Sequence, residues 1–332
     1  MALVAASDLI AGSSLGFLPL LTLGPTFASV SGTVRRTAAV GALALAICLP
    51  VAAYNNTLLT WQNNLTIVTL VSVTGASMLA SYLRLRRERE LANLKAVAEA
   101  AQRVLLRPVP RRAGDLRLAL SYTSAAAEAR IGGDLYEVVT TPAGVRLIIG
   151  DVQGKGLKAV ETAAWVLGAF REAAYDQPDL ISVAQRLEAS LTRHLGAESF
   201  VTAILAEIAG GEITLLNCGH PAPLLLRRDG HVAVIVPPEE SLPLGLAALA
   251  ATAPKPHSFG FGEHDQILFY TDGVIETRDP SGEFYPLTER LAPLRDHDPQ
   301  QALDTLREDL IDHAGGPLAD DAAMLLLRRQ SY

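Results

Sequence analysis

Acidic residues stand at four places where apolar segments begin or end: Asp134 after Gly132-Gly133, Asp151 after Gly150, Asp272 between Thr271 and Gly273, and Asp320 beside Asp321. Carboxylates at strand ends can converge across a sheet edge, and such an all-oxygen ligand set suits hard divalent ions such as Mg2+ or Mn2+, which keep several waters. Two of these ions about 4 Å apart can share a water, lower its pKa and aim the hydroxide at phosphorus opposite the leaving oxygen. The chemistry expected is hydrolysis of a phosphate ester. Each position alone also reads as turn or cap chemistry, but four in one region weaken that reading.

Other patterns carry less. Cys48 and Cys218 are far apart in regions of different character, which excludes a disulfide framework and a thiolate metal cage. The seven histidines show no close ligand pairing, and His220 before Pro221 reads as a hydrogen-bonded turn residue. Gly154-Lys155-Gly156 is one residue too close to Gly150 for a nucleotide-binding loop, and Gly156 replaces the required Ser or Thr. Gly12-Ser13-Ser14-Leu15-Gly16 has the spacing of a serine-hydrolase elbow but lies in an apolar stretch that supplies no strand before it, so helix packing by small residues is the better reading.

The carboxylates need a scaffold, and the sequence after Pro110 supplies strands with helices in the middle. Leu116–Tyr122, Asp134–Thr140 and Val145–Asp151 read as strands, the last two joined through Thr141-Pro142-Ala143-Gly144. Leu157–Tyr175 and Pro178–His194 read as helices. Phe200–Ile208, Glu212–Asn217, Ala222–Arg227 and His231–Val236 resume as strands, with turns at Gly210-Gly211 and Asp229-Gly230. Gln266–Thr271 is a buried strand, Pro299–Ala314 a helix with proline in its first turn and Ala322–Leu327 a closing strand. The fold class expected is a layered α+β domain with helices outside stacked antiparallel sheets.

The front of the chain is different in kind. Residues 1–83 contain three charged side chains, Asp8, Arg35 and Arg36, in a protein of 332 residues with a net charge of −7. Leu9–Val30, Thr37–Tyr54 and Leu65–Leu83 each approach the roughly 20 residues a membrane span needs, so three transmembrane helices are expected, the first interrupted by Pro19 and Pro25. Arg35 and Arg36 in the first connection, and Arg84, Arg86, Arg87 and Arg89 after the third stretch, place the tail in the cytoplasm. Residues 84–110 read as an amphipathic stalk through Leu91, Leu94, Ala98, Ala101 and Leu105, ended by Pro108 and Pro110. A two-helix stalk in a homodimer and a single helix packed on its own domain fit that pattern equally. The acidic tail argues against nucleic acid as a partner.

The tail, from about residue 115 to 328, resembles bacterial PPM-type serine/threonine phosphatases of the SpoIIE branch. The resemblance runs in order through Gly132-Gly133-Asp134-Leu135-Tyr136, Gly150-Asp151-Val152-Gln153-Gly154-Lys155-Gly156, Phe200-Val201-Thr202, Asn217-Cys218-Gly219-His220-Pro221, Tyr270-Thr271-Asp272-Gly273-Val274-Ile275-Glu276 and Asp320-Asp321. It implies an αββα sandwich with two divalent cations, Mn2+ or Mg2+, at one end. It implies Asp134, Asp151, the Val152 carbonyl, Asp272 and Asp320 as ligands, Asp151 bridging the metals, Asp151 and Asp272 serving the metal-activated water, and Asp321 as a structural partner. Lys155 stands where many members have His, and Glu128-Ala129-Arg130-Ile131 departs from the common Glu-Val. Lys155 therefore has two readings, a phosphate contact or a solvated loop lysine.

The function expected is that of a multi-pass membrane phosphatase acting on phosphoserine or phosphothreonine of a regulatory protein. The resemblance implies an anti-sigma-factor antagonist as substrate and a membrane signal reaching the domain through the stalk from lipid or the spans. A catalytically silent phosphatase-like sensor or scaffold is the alternative. A diguanylate cyclase is disfavoured because Leu135-Tyr136 follows the Gly-Gly-Asp segment where that signature has Glu-Phe.

Overall fold

The computed structural model describes residues 18–54, 60–124, 132–194, 199–249 and 252–330, which leaves Gly12–Gly16, Leu9–Phe17 and Glu128–Ile131 outside the described residues. The chain forms two compact units, Met1–Leu94 and Lys95–Tyr332.

In the first unit a 3-10 turn, Leu18–Thr22, leads into helix α1 (Leu23–Ser31), followed by α2 (Val34–Tyr54) and the part of α3 (Trp61–Leu105) up to Leu94. Leu21, Ala44, Cys48, Ala52 and Leu70 form its small core, and Thr37 and Ser81 share a buried hydroxyl pair at 3.1 Å. Gly41 permits a close approach, since a Cβ there would strike the side chain of Thr74. Two helices among the described residues are long and apolar enough to cross a membrane: Val34–Tyr54 and Asn63–Leu94. Of the expected first span, Leu9–Phe17 lie outside the described residues, and the remainder falls in the shorter apolar helix Leu18–Ser31. Pro25, without a backbone donor, sits in the first turn of α1, and Gly32 leaves the helix in an extended conformation. Span and stalk also prove to be one uninterrupted helix. The composition changes at Arg84, but Arg, Glu, Leu and Ala are all good helix formers, and no proline stands between Trp61 and Leu105.

The second unit is the expected αββα sandwich. A five-stranded sheet takes the order β3-β4-β5-β6-β9, from Asp134–Thr141, Gly144–Val152, Val201–Ala209, Glu212–Cys218 and His257–Gly260. A six-stranded sheet takes the order β1-β2-β11-β10-β7-β8, from Arg112–Ala113, Leu116–Thr123, Ala322–Arg329, Gln266–Tyr270, Leu224–Leu226 and Val232–Val234. Every pairing is antiparallel. Helices α4 (Leu157–Asp176) and α5 (Leu180–His194) pack on the first sheet, and α8 (Pro299–Ala314) packs on the second. Between β10 and α8 lie two short helices, α6 (Asp272–Ile275) and α7 (Leu287–Leu291).

The main core joins Leu147, Ile149 and Leu205 of one sheet to Leu118, Phe269 and Leu325 of the other, with Phe170 and Leu187 from the helices. Because β4 is covered on both faces, its residues from Val145 to Gly150 are all buried and read as an apolar run rather than an alternation. Arg146 is the exception in type. Its side chain, 3% exposed, pairs with Glu207 at 2.6 Å and donates to the carbonyls of Ala174, Gln177 and Pro178, fastening the end of α4 to the sheet.

Candidate metal centre

Strand register brings the first two carboxylates together. Asp134 opens β3 directly opposite Asp151 near the end of β4, and Asp151 in turn faces Thr202 of β5. The second sheet supplies the others, since β10 and β11 are neighbours: Asp272 follows β10 and Asp320-Asp321 precedes β11. Asp272 is the first residue of α6. Thr271 ties the sheets, donating from Oγ1 to Asp134 Oδ2 at 2.9 Å and accepting from the Ala323 N–H at 3.0 Å.

Glycines make the close approaches feasible. A Cβ on Gly133 would strike the Val152 carbonyl oxygen and lie 2.6 Å from Asp151 Oδ1. A Cβ on Gly273 would strike the Asp321 carbonyl, and one on Gly132 the Asp321 carboxylate. The Gly-Gly-Asp and Asp-Gly segments are thus required sterically, without any unusual φ at these three positions.

The electrostatics are those of crowded negative charge. Burial raises the Asp134 carboxyl well above the ordinary range, the Asp151 charge raises it further, and the Thr271 hydrogen bond only partly opposes this. Burial, then the charges of Asp272 and Asp320, push Asp151 up to about 7 against the opposing charge of Lys155. Burial likewise raises Asp272, with the bond from the Gly273 N–H opposing and the Asp320 charge adding to it. Lys155 Nζ lies 2.6 Å from Asp320 Oδ2. Among the described residues, no three acidic, histidine or cysteine side chains meet closely enough to hold one ion between them. The carboxylates share one end of the sandwich, and Asp320 is turned to Lys155.

The donor chemistry fits hard divalent cations. It consists of oxygen atoms only, its carboxylates repel one another in a partly buried setting, and the glycine at position 133 places no Cβ against the Val152 carbonyl and Asp151 Oδ1. Cations would relieve the repulsion that otherwise favours protonation.

Tyr122 carried no sequence signal as a site residue, and His220 does more than its turn reading implied. Tyr122 at the end of β2 donates its hydroxyl to Asp321, and burial and that carboxylate raise the phenol's pKa, so it stays a donor. His220 is buried, with Nδ1 3.0 Å from Thr202 Oγ1 and Nε2 3.1 Å from the Tyr270 carbonyl, and it links the two sheets beside Asp151 and Asp272. Burial lowers it to about 4, so the ring is neutral and donates from Nε2. The turn reading of His220 located only its main chain, whose N–H donates to Asn217 Oδ1 at 2.8 Å.

A family model described as stage II sporulation protein E (SpoIIE) matches residues 141–330, more than half of the chain. Asp151, Asp272 and Asp320 lie within the match, and Gly132–Asp134 lie outside it, ahead of residue 141. Among solved structures, the SiaA-PP2C domain of Pseudomonas aeruginosa is similar with a TM-score of 0.60 at 17% identity, over 73% of this chain and 98% of that one. The RsbU and RsbW domains of a Mycobacterium tuberculosis protein give 0.53 at 25% identity, over 65% of this chain and 60% of that one. The PP2C phosphatase domain of SpoIIE from Bacillus subtilis, with a fragment of its regulatory domain, gives 0.54 at 18% identity, over 65% and 64%. The chain therefore spans less than two thirds of the length of the last two, and the likenesses at 17% and 18% identity concern the fold.

Proposed function

Since the chain belongs to the SpoIIE family, we propose that it is a metal-dependent protein serine/threonine phosphatase, with residues 111–332 as the catalytic domain, 84–110 as a stalk and 1–83 as a membrane region. The observation that carries this reading is the placement of Asp134, Asp151, Asp272 and Asp320, drawn from two sheets, at one end of the sandwich. These four carboxylates and the Val152 carbonyl would hold two divalent cations, Mn2+ or Mg2+. When bound, such cations generate hydroxide from water at neutral pH and draw charge from a phosphoryl oxygen.

The chain's own residues prepare the site for that chemistry. Thr271 orients the Asp134 carboxylate, and the Asp321 N–H holds Asp320 Oδ1 at 2.9 Å. Lys155, whose Nζ lies 2.6 Å from Asp320 Oδ2, places an ammonium at the same end of the sandwich, where it would meet the substrate phosphate. A phosphorylated regulatory protein is the substrate class. The fold shared with a chain that pairs RsbU and RsbW domains favours an anti-sigma-factor antagonist in that role.

The helices Val34–Tyr54 and Asn63–Leu94 anchor the protein in the cell membrane, and the arginines from Arg84 to Arg89 keep the catalytic domain cytoplasmic. Leu91, Leu94 and Val97 expose apolar side chains along α3, which favours a homodimer through the stalk. Deleting residues 1–110 is expected to change oligomeric state and regulation together; unchanged behaviour of both would remove the stalk from the account. The catalytic reading is tested by manganese binding to the full chain in detergent, with phosphoserine-peptide hydrolysis alongside. Two bound ions per chain with hydrolysis that stops in chelator are expected, whereas a folded chain that binds no manganese and hydrolyses nothing is the silent scaffold instead.

A further inference from the structure

Behind Asp320 stands a chain of hydrogen bonds that begins in the last turn of α3. Gln102, 8% exposed, donates from Nε2 to the Tyr122 hydroxyl at 2.9 Å and reaches the Gly132 carbonyl at 3.5 Å. Tyr122 donates to Asp321 Oδ2, and Ser124 Oγ approaches Oδ1 at 3.5 Å. The Asp321 N–H then donates to Asp320 Oδ1 at 2.9 Å. Amide, phenol and carboxylate form one directed series in a poorly solvated setting, where successive bonds polarise one another. The same helix end is fixed a second time, by Arg171, which donates to the Leu105 carbonyl at 2.8 Å and to Glu137 of β3 at 2.6 Å. An apolar side chain at position 102 would fill the space with less desolvation, so what the amide adds is direction.

We propose that Gln102 and Tyr122 are positioning residues of the metal centre. They fix Asp321, and through its main chain the segment that carries Asp320 beside the centre, and they steady the Gly132–Gly133 segment ahead of Asp134. The inference rests on the metal-centre reading above. Its consequence is that the last turn of α3 belongs to the support of the site, so that moving this turn alters cation affinity without any contact to substrate. Residues that orient ligands from the outer shell typically account for 10–100-fold in metal affinity.

The test is the manganese dissociation constant of the full chain in detergent micelles, read by electron paramagnetic resonance, for wild type, Tyr122→Phe, Gln102→Leu, their double variant and Asp151→Asn, with thermal midpoints recorded in chelator. Tyr122→Phe and Gln102→Leu are each expected to weaken manganese binding about 10-fold or more, with chelator midpoints close to wild type. The double variant is expected to lose less than the two single losses combined, because both residues act through one chain. Should Tyr122→Phe unfold, Gln102→Leu alone decides. Unchanged affinity in the single variants, or losses that merely follow the thermal midpoints, overturns the relay while leaving the centre intact, provided Asp151→Asn abolishes binding. If Asp151→Asn binds manganese as wild type does, the centre itself is wrong and the relay falls with it.

Discussion

Replacing Asp151 by Asn should make the metal-free domain more stable while depriving it of its response to metal. The carboxyl is held near 7 instead of 3.8, chiefly by burial and then by Asp272 and Asp320. Between those two values the folded protein keeps a proton that the unfolded chain has released, so unfolding free energy falls as pH rises across the interval and levels off above it. At about 1.4 kcal/mol per pH unit, the ionised group costs up to about 4 kcal/mol at pH 8, and its partial contact with solvent makes about 2–4 kcal/mol the working range. For a unit of this size that corresponds to roughly 5–15 °C in the thermal midpoint. The assay is thermal unfolding of residues 95–332, which carry their own core, in chelator at pH 8 and pH 5. The Asn variant should melt above wild type at pH 8, and less than half of that advantage should remain at pH 5. Millimolar manganese should raise the wild-type midpoint and leave the variant's where it was. An Asn variant less stable than wild type at pH 8 without metal, or an advantage independent of pH, would refute the electrostatic reasoning.

Other consequences follow from the same contacts. His220 is held near 4 by burial, so stability is lost as pH falls from about 6.5 toward 4, by up to about 3 kcal/mol; His220→Gln should flatten that acid limb in midpoints taken between pH 7 and pH 4.5. Arg146→Met leaves Glu207 and three carbonyls without their partner and should cost about 3–5 kcal/mol, seen as a lower urea midpoint. Gly133→Ala places a methyl group against the Val152 carbonyl and Asp151, and should abolish manganese binding in calorimetry. Lys155→Met removes the competitor for Asp320, so manganese should bind several-fold more tightly while KM for a phosphopeptide rises.

Much of this architecture is legible residue by residue. The apolar run of β4 and the turn at Thr141–Gly144 predict the hairpin that sets Asp134 opposite Asp151, because register follows from the turn. The Asp-Gly and Gly-Gly-Asp segments mark close approaches that only glycine permits. What escapes the sequence is tertiary in origin. Strand β9 is a four-residue edge with partial burial after a proline-rich segment, and it pairs only because β6 is there to receive it. The helix at Asp272 is a single turn held by its surroundings, with Thr271 bonded to Ala323 across the sheet. Apolar spacing reports burial and length but not continuity, so α3 reads as a span and a separate stalk although nothing in its backbone breaks it. Gln102, Tyr122 and Asp321 stand too far apart in the chain for any local pattern to join them.

The most direct test of the account is phosphate release from a phosphoserine peptide by the full chain in detergent, measured with manganese and with chelator for wild type, Asp151→Asn and Asp272→Asn. The account predicts release by wild type with manganese only, and none by either variant. Release that persists in chelator, or that survives both substitutions, would contradict it.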